Sequence, residues 1–249
     1  MYKRQELAAV CREFVDELTG KQTIYQMMRL AEEVRQRGGR AAEPLEYKHL
    51  YHERLMERIE GRRDRLRSGE AEAESMLVSG SLEMLQGLAD RGVSLYLASG
   101  TYEAYVREEA ELLKIDRFFG PHIYGAVDDF RSFSKQMVIE RLLDHNEVDA
   151  SRLVGFGDGY VEIDNVKTSG GLAVGVATDE SARNGRIDAW KRDRLVGVGA
   201  GVGGVGGESR SARRRDHLKK KRREETRRGV EIRAAQPGLG YVGYTNLTL

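Results

Sequence analysis

The sequence has little of the chemistry that cross-links or anchors proteins. Its 249 residues include one cysteine and three prolines, and no run approaches the ~20 consecutive apolar residues of a membrane helix. A single cysteine excludes an intramolecular disulfide, and Cys11 lies on an apolar helical stripe, which predicts a small core residue. The first residues contain no apolar signal region, so we expect a cytoplasmic protein with no membrane partner.

An excess of charge of one sign is also missing from the chain as a whole, because 41 Lys and Arg stand against 40 Asp and Glu. The balance differs along the sequence. Residues 201–249 hold twelve basic and five acidic side chains, which leaves 29 basic and 35 acidic ones for residues 1–200. A mildly acidic body offers no basic face of the kind that binds nucleic acid, so a nucleic-acid partner is not expected. The sequence does not indicate an oligomeric state.

Four segments differ in composition. Residues 1–5 resemble a translated sequencing adapter rather than native protein. Residues 6–75 carry apolar stripes at helical spacing and no strand pattern, which predicts an all-helical unit. In residues 76–200, short apolar strands alternate with amphipathic helices, the pattern of a parallel sheet covered on both faces. Residues 201–249 are rich first in Gly and then in Arg and Lys.

The last segment is open to three interpretations. A slip of the reading frame near residue 200 accounts for a Gly-Val run with nothing to pack, followed by a run of mostly Arg, Lys and Glu. A natural disordered tail and a basic nucleic-acid arm are the alternatives. We therefore expect residues 201–249 to be disordered or frameshifted.

The stretch 153–162, Leu-Val-Gly-Phe-Gly-Asp-Gly-Tyr-Val-Glu, carries the clearest chemical signal. Its first residues read as the end of a buried strand, and its three glycines allow a tight turn. Asp158 lies in that turn, and Glu162 follows where a helix can begin. Two carboxylates so placed suit Mg²⁺, which takes few oxygen ligands and completes its shell with water and phosphate. A glycine-rich turn with a helix-capping acid is the simpler alternative.

Two further stretches carry polar groups at the ends or starts of elements. An apolar strand from Val93 ends in Ser99-Gly100-Thr101, whose hydroxyl and N–H groups can hold a phosphate. The alternative is that Ser99 only caps the next helix. Lys135 opens an amphipathic helix, where a cation opposes the helix dipole unless an anion lies nearby. A solvated surface lysine is the alternative there.

In this order and spacing, the strand with Ser99, the lone Lys135 and the turn with Asp158 and Glu162 resemble the second, third and fourth motifs of the haloacid dehalogenase-like hydrolase superfamily. The resemblance covers about residues 6 to 200. It implies an α/β fold, with a Rossmann-like parallel sheet between helices and an N-terminal helical cap. By this resemblance, residues 6–75 are the cap and residues 76–200 an incomplete core.

The resemblance also implies a Mg²⁺-dependent phosphatase that works through an aspartyl-phosphate. Asp158 and Glu162 become the metal ligands, Lys135 a catalytic residue and phosphate ligand, and Ser99, Gly100 and Thr101 the phosphate-binding group. The substrate would be a small phosphorylated metabolite such as a sugar phosphate. The family's first motif, Asp-x-Asp, occurs nowhere in the chain, so we expect a truncated, inactive copy whose sheet lacks its central strand.

Several assignments stay open. The polar turn at residues 19–23 could bring Lys21 or Gln22 over the substrate, or simply join two helices. Glycines at 155, 157 and 159, with Asp179 or Glu180 after the next strand, also fit a nucleotide or S-adenosylmethionine loop. A non-catalytic remnant that binds phosphorylated ligands is a third class.

The third apolar stripe predicts a helix with one apolar and one solvated side. We expect Tyr51, Leu55, Ile59 and Leu66 on its inner side and its many Arg and Glu on the outer one. The five histidines show no metal-ligand spacing, so surface positions or positions with satisfied hydrogen bonds are expected for them.

Overall fold

Three helices precede the first strand in the computed structural model, which describes residues 4–179, 186–203 and 240–243. They are α1 (Arg4–Glu17), α2 (Thr23–Gln36) and α3 (Pro44–Arg67). Helix α2 buries Ile24, Met27 and Ala31, which stand at helical spacing as predicted. Pro44 begins α3, where its missing N–H removes no helical hydrogen bond.

Helix α1 is held mainly through its last turns. Phe14 is its one buried residue, and the main-chain oxygen of Glu17 accepts a hydrogen bond of 2.5 Å from the Tyr160 hydroxyl. Cys11 is exposed, so the prediction that it is a core residue is wrong. The stripe that carries Cys11 has helical spacing, but spacing alone does not tell which face the rest of the chain covers.

The strands that follow form one parallel sheet. They are β1 (Ser94–Tyr102), β2 (Ile123–Ala126), β3 (Leu153–Gly157), β4 (Leu172–Val176), β5 (Gly201–Gly203) and β6 (Gly240–Gly243). Their order across the sheet is β2-β1-β6-β3-β4-β5, and every neighbouring pair is parallel. The predicted α/β fold with N-terminal helices is confirmed.

Alternation along β1 divides the core into two parts. Leu95 and Leu97 face a cluster that includes Ile59 of α3, whereas Tyr96 and Ala98 face a cluster on the other side of the sheet. The remaining helices supply both clusters. They are α4 (Ser81–Ala89), α5 (Glu103–Leu112), α6 (Asp116–Phe119), α7 (Lys135–Asn146), α8 (Tyr160–Thr168) and α9 (Ala189–Gly197).

The centre of the sheet is occupied by β6, which comes from the last residues of the chain. Val242 is paired with Tyr96 of β1 on one side and with Gly155 of β3 on the other. The position where we expected a missing strand is therefore filled in this structure. Most of the predicted tail, residues 204–239 and 244–249, lies outside the described residues, and its disorder or frameshift stays a prediction.

No helix within the described ranges combines the length and the apolar character needed to cross a bilayer.

Candidate functional site

Ser99, Gly100 and Thr101 lie within β1, at the carboxyl edge of the sheet. The register between β1 and β2 shifts between Ala98 and Tyr102, so the strand is irregular over these three residues. Ser99 is 2 % exposed, and its hydroxyl oxygen accepts a hydrogen bond of 3.2 Å from the Thr101 N–H. Helix α5 begins only at residue 103, with no side-chain cap, so Ser99 is not its capping residue.

Lys135 and Glu162 form a buried ion pair. Lys135 opens α7 and is 9 % exposed, while Glu162 lies in the first turn of α8 and is 2 % exposed. The Lys135 ammonium donates to one carboxylate oxygen of Glu162. The cation at the start of α7 is thereby offset by an acid, which removes the conflict with the helix dipole. Within the described residues, the other oxygen of Glu162 has no hydrogen-bond partner.

Asp158 pairs with a lysine that the sequence analysis did not single out. The Nζ atom of Lys191 lies 3.5 Å from Oδ2 of Asp158, and both side chains are mostly buried. Lys191 is in the first turn of α9, where its N–H donates to the capping carboxylate of Asp188. The sequence contains one sign of this contact. A helix that follows β4 begins at the same edge of the sheet as Asp158, so a side chain in its first turn can reach that acid.

The turn between α1 and α2 contacts both β1 and α8 at this edge of the sheet. Gly20 has a φ of +89°, and a methyl group added there would lie 2.9 Å from Oε2 of Glu162. A methyl group added at Gly100 would lie 3.7 Å from the main-chain oxygen of Lys21. The turn therefore contacts the phosphate-binding segment predicted on β1 and the acid that pairs with Lys135.

Gln22 holds the turn against the rest of the chain. It is 8 % exposed, and its amide donates hydrogen bonds of 2.6 Å to the oxygen of Phe133 and 3.1 Å to that of Phe130. It thus ties the turn to the loop before α7. Lys21 is exposed, so of the two residues it is the one free to reach a ligand.

The acids at this edge fit a divalent cation only in part. Asp158 and Glu162 are two carboxylates, and no group of three or more potential ligands occurs in the part of the chain that the structure describes. Glu162 has one unpartnered oxygen, but that oxygen lies against Gly20 and Gly159. Asp158, whose carboxylate lies 3.5 Å from the Lys191 ammonium, is the better candidate of the two. The neighbouring Asp164 is exposed.

The glycine-rich turn gives little support to a cofactor loop. A Cβ atom at Gly159 would overlap the Glu162 carboxylate, so the side chain of α8 fills the space over the turn. A pyrophosphate on such a loop needs that space and the N–H groups of the helix start. Asp179 is half-buried, while Glu180 lies outside the described residues.

Two comparisons with known proteins bear on this arrangement. The family model of haloacid dehalogenase-like hydrolases matches residues 7–176. The chain belongs to the haloacid dehalogenase-like hydrolase family. The matched range holds Ser99, Lys135, Asp158 and Glu162, whose order and spacing carried the resemblance.

A 5'-nucleotidase from Pseudomonas aeruginosa is 30% identical to this chain over 103 residues. The match covers 41% of this chain and 46% of the relative, so the chain spans less than half the length of that curated protein. The family match makes the chain a hydrolase of the haloacid dehalogenase-like family, and the nucleotidase activity is that of the relative.

Proposed function

We propose that the chain carries the phosphate and metal side of a phosphatase site that acts on a small phosphorylated metabolite. The observation that carries the proposal is the meeting of β1, α7, β3 and α8 at one carboxyl edge, with a single cap turn touching both Gly100 and Glu162. Phosphoryl transfer needs aligned groups that stabilise charge, and this edge supplies a hydroxyl, two ammonium groups and two acids.

The proposed roles follow from position. Ser99, Gly100 and Thr101 hold the phosphate through the hydroxyl and main-chain N–H groups of the irregular part of β1. Lys135 balances the phosphate charge and is oriented by Glu162. Asp158 would bind Mg²⁺, which would neutralise phosphate charge when bound. Lys21, on the exposed side of the cap turn, would contact the leaving group.

The family's covalent route needs an aspartate nucleophile, and this chain contains no Asp-x-Asp. We therefore propose that the chain as given binds phosphate esters but does not turn them over. This separates two measurements: binding, which tests the residues that are present, and turnover, which also needs the first motif.

Binding is tested by calorimetry with hexyl phosphate, with and without Mg²⁺. Ser99→Ala should weaken binding about tenfold, the usual effect of losing one hydrogen bond to a charged group. Ser94→Ala is the matched control, because Ser94 is exposed at the opposite end of the same strand. Equal affinities for the original chain and both variants would remove Ser99 from the phosphate site.

Turnover is tested on a chain with the Asp-x-Asp strand of a full-length family member fused before residue 6 and with β6 removed, because β6 occupies the place between β1 and β3 that the added strand must take. The panel should include sugar phosphates and nucleoside 5'-monophosphates, since the curated relative is a 5'-nucleotidase. We expect Mg²⁺-dependent release of phosphate that Asp158→Asn abolishes. Turnover that is indifferent to both Mg²⁺ and Asp158 would overturn the metal assignment.

A further inference from the structure

Two polar side chains one turn apart on α3 are buried without hydrogen-bond partners. Lys48 is 1 % exposed and His52 is 4 % exposed. Within the described residues, neither the Lys48 ammonium nor either ring nitrogen of His52 has a hydrogen-bond partner. We expected the many Arg and Glu of α3 to be solvated and its histidines to be exposed or satisfied. This is wrong for Arg63, which is buried, and for His52, whereas His49 is exposed. Tyr51, expected inside, is exposed.

Burying two polar side chains without hydrogen bonds costs folding free energy, which a purely structural role does not explain. Buried polar groups are nearly always hydrogen-bonded, because desolvation without a new partner is costly. Positions i and i+4 share one face of a helix, so Lys48 and His52 point the same way. Burial lowers the pKa of both side chains, that of His52 to about 4, which shows how poorly this environment solvates them as cations. A ligand that supplies a hydrogen-bond acceptor would give both side chains the partner that they lack.

The surroundings of the pair are aromatic, with one acid. The Lys48 ammonium lies 3.8 Å from the centre of the Tyr102 ring, and the His52 ring centre is 4.7 Å from that ring and 5.9 Å from Tyr105. Asp128 already accepts a hydrogen bond from the Tyr102 hydroxyl, and Nε2 of His49 lies 3.6 Å from it. The cations and potential cations here, Lys48, His49 and His52, outnumber the single acid.

The position of the cluster relates it to the phosphate site. Tyr102 is the last residue of β1 and stands three residues after Ser99, roughly 10 Å along a strand. Asp128 follows the end of β2 by two residues, so the cluster lies at the same carboxyl edge, beside the predicted phosphate-binding segment. Helix α3 carries Lys48 and His52 into the cluster, and because both are buried, a ligand can reach them only if α3 moves.

From this geometry we propose that Lys48 and His52 form a second anion subsite, which binds a carboxylate or second phosphate of the substrate about 10 Å from the phosphate at Ser99. The inference rests on the proposed function, because that function puts the first phosphate at Ser99. The distal anion takes the place of the Tyr102 ring beside Lys48, and His52 supplies a second donor. Substrates with anionic groups at both ends are thereby selected over simple monophosphates.

The test compares three probes by calorimetry: hexyl phosphate, 1,6-hexanediol bisphosphate and ethylene glycol bisphosphate. The original chain should bind the six-carbon bisphosphate at least about tenfold more tightly than hexyl phosphate, as expected for one charged hydrogen bond. The two-carbon bisphosphate, which is too short, should show no such gain. Equal affinity of the chain for hexyl phosphate and the six-carbon bisphosphate would overturn the subsite.

Variants separate the subsite from a structural role. Lys48→Met keeps the length of the side chain and should abolish the gain, while Lys114→Met, which removes an exposed lysine, should keep it. Because Lys48→Met replaces a buried ammonium that has no hydrogen-bond partner by an apolar group, it should leave the melting temperature unchanged or raised. A gain that persists in Lys48→Met would contradict the proposal.

An independent readout follows the ring nitrogen signals of His52 by NMR during addition of inorganic phosphate. In the original chain the signals should shift toward those of imidazolium as phosphate binds, and in Lys48→Met they should not. If hexyl phosphate does not bind but His52 still responds to phosphate, the proposed function fails and the subsite stands. A His52 signal that phosphate leaves unchanged would overturn the subsite alone, provided that hexyl phosphate binds in a Ser99-dependent way.

Discussion

At the scale of single residues, the candidate site consists of two acid–lysine pairs of unequal strength. Lys135 and Glu162 are both nearly inaccessible to solvent, whereas Asp158 and Lys191 retain some exposure and lie 3.5 Å apart. A buried pair resists separation because each partner alone would be an uncompensated charge. We infer that Glu162 is committed to Lys135 and that Asp158 can exchange its lysine for another cation.

The buried pair predicts a large effect of removing one partner. Lys135→Met should lower the free energy of unfolding by about 3–5 kcal/mol, because it leaves the Glu162 carboxylate buried and unpaired. The double variant Lys135→Met with Glu162→Gln should lose clearly less, since the stranded charge is gone. Urea unfolding of both variants measures the difference. Equal losses in the single and the double variant would mean that the two groups do not interact.

The looser pair predicts competition between Lys191 and a metal. Lys191→Met should raise the affinity of Asp158 for Mg²⁺ about fivefold, because the cation no longer displaces an ion pair worth about 1 kcal/mol. Calorimetric titration with Mg²⁺ measures this without any turnover. Arg192→Met is the control, since Arg192 pairs with exposed Asp193 on the same helix. An unchanged Mg²⁺ affinity in Lys191→Met would show that the lysine does not occupy the cation's place.

Glu109 predicts a pH dependence of stability. It is 5 % exposed on α5, near Arg63 and Glu108, and burial raises its pKa to about 7 from an ordinary value of 4.5. Between these values the folded chain keeps a proton that the unfolded chain releases. The stabilising contribution of this group is therefore full below pH 4.5 and is lost as the pH rises through 7.

Glu109→Gln removes this proton equilibrium while keeping the shape of the side chain. The variant should gain stability relative to the original chain as the pH rises from 4.5 to 8, by up to about 3 kcal/mol. The difference between the two chains is the quantity to measure, because His52, whose pKa is lowered to about 4, makes both more stable as the pH rises from 4 to 6.5. A difference that is constant with pH would contradict the raised pKa of Glu109.

At the scale of elements, the turn between α1 and α2 links the cap to the site through a glycine. Gly20→Ala meets two obstacles, a left-handed φ of +89° and a carboxylate oxygen at 2.9 Å. Gly38→Ala is a matched control, with a φ of +76° and no heavy atom of the described chain within 4 Å. The control should lose about 1 kcal/mol of unfolding free energy from backbone strain, and Gly20→Ala about 3 kcal/mol.

Ligand binding separates these glycine variants further. Only Gly20→Ala moves the turn away from Glu162, so only this variant should weaken the binding of hexyl phosphate. Thermal unfolding and calorimetry on the same samples give both quantities. Equal effects of the two substitutions would mean that the turn does not rest on the site.

The sequence predicted where the helices and strands lie better than it predicted which of their sides are buried. Helix and strand patterns located the cap helices and β1 to β4, because spacing is set by local backbone geometry. Cys11 was misplaced because helical spacing does not reveal which face a neighbour covers, and the burial of Arg63 was missed because α3 carries charges all round. Lys191 was missed because its partner, Asp158, is 33 residues away. Contacts between distant segments carry no local periodicity.

At the scale of the whole molecule, the sheet depends on a strand from its C-terminal region. β6 lies between β1 and β3 and is paired with both, whereas β5 is paired with β4 alone at the end of the described sheet. Removing a central strand separates the sheet into two parts and opens a gap under both core clusters, because each cluster contains residues of β1 and of β3. The central and the terminal strand should therefore respond very differently to the same backbone change.

Proline substitution tests this difference, because proline cannot donate a hydrogen bond to a neighbouring strand. Val242→Pro, in β6 opposite Tyr96 and Gly155, should lower the free energy of unfolding by about 3 kcal/mol and speed hydrogen exchange in both β1 and β3. Val202→Pro, in β5 opposite Gly175, should lose at most about 1 kcal/mol, the worth of one ladder bond. Urea unfolding and exchange measured by NMR give both quantities. If Val242→Pro changes neither the free energy of unfolding nor the hydrogen exchange of β1 and β3, then β6 does not pair with these strands in solution, and they are stable without it.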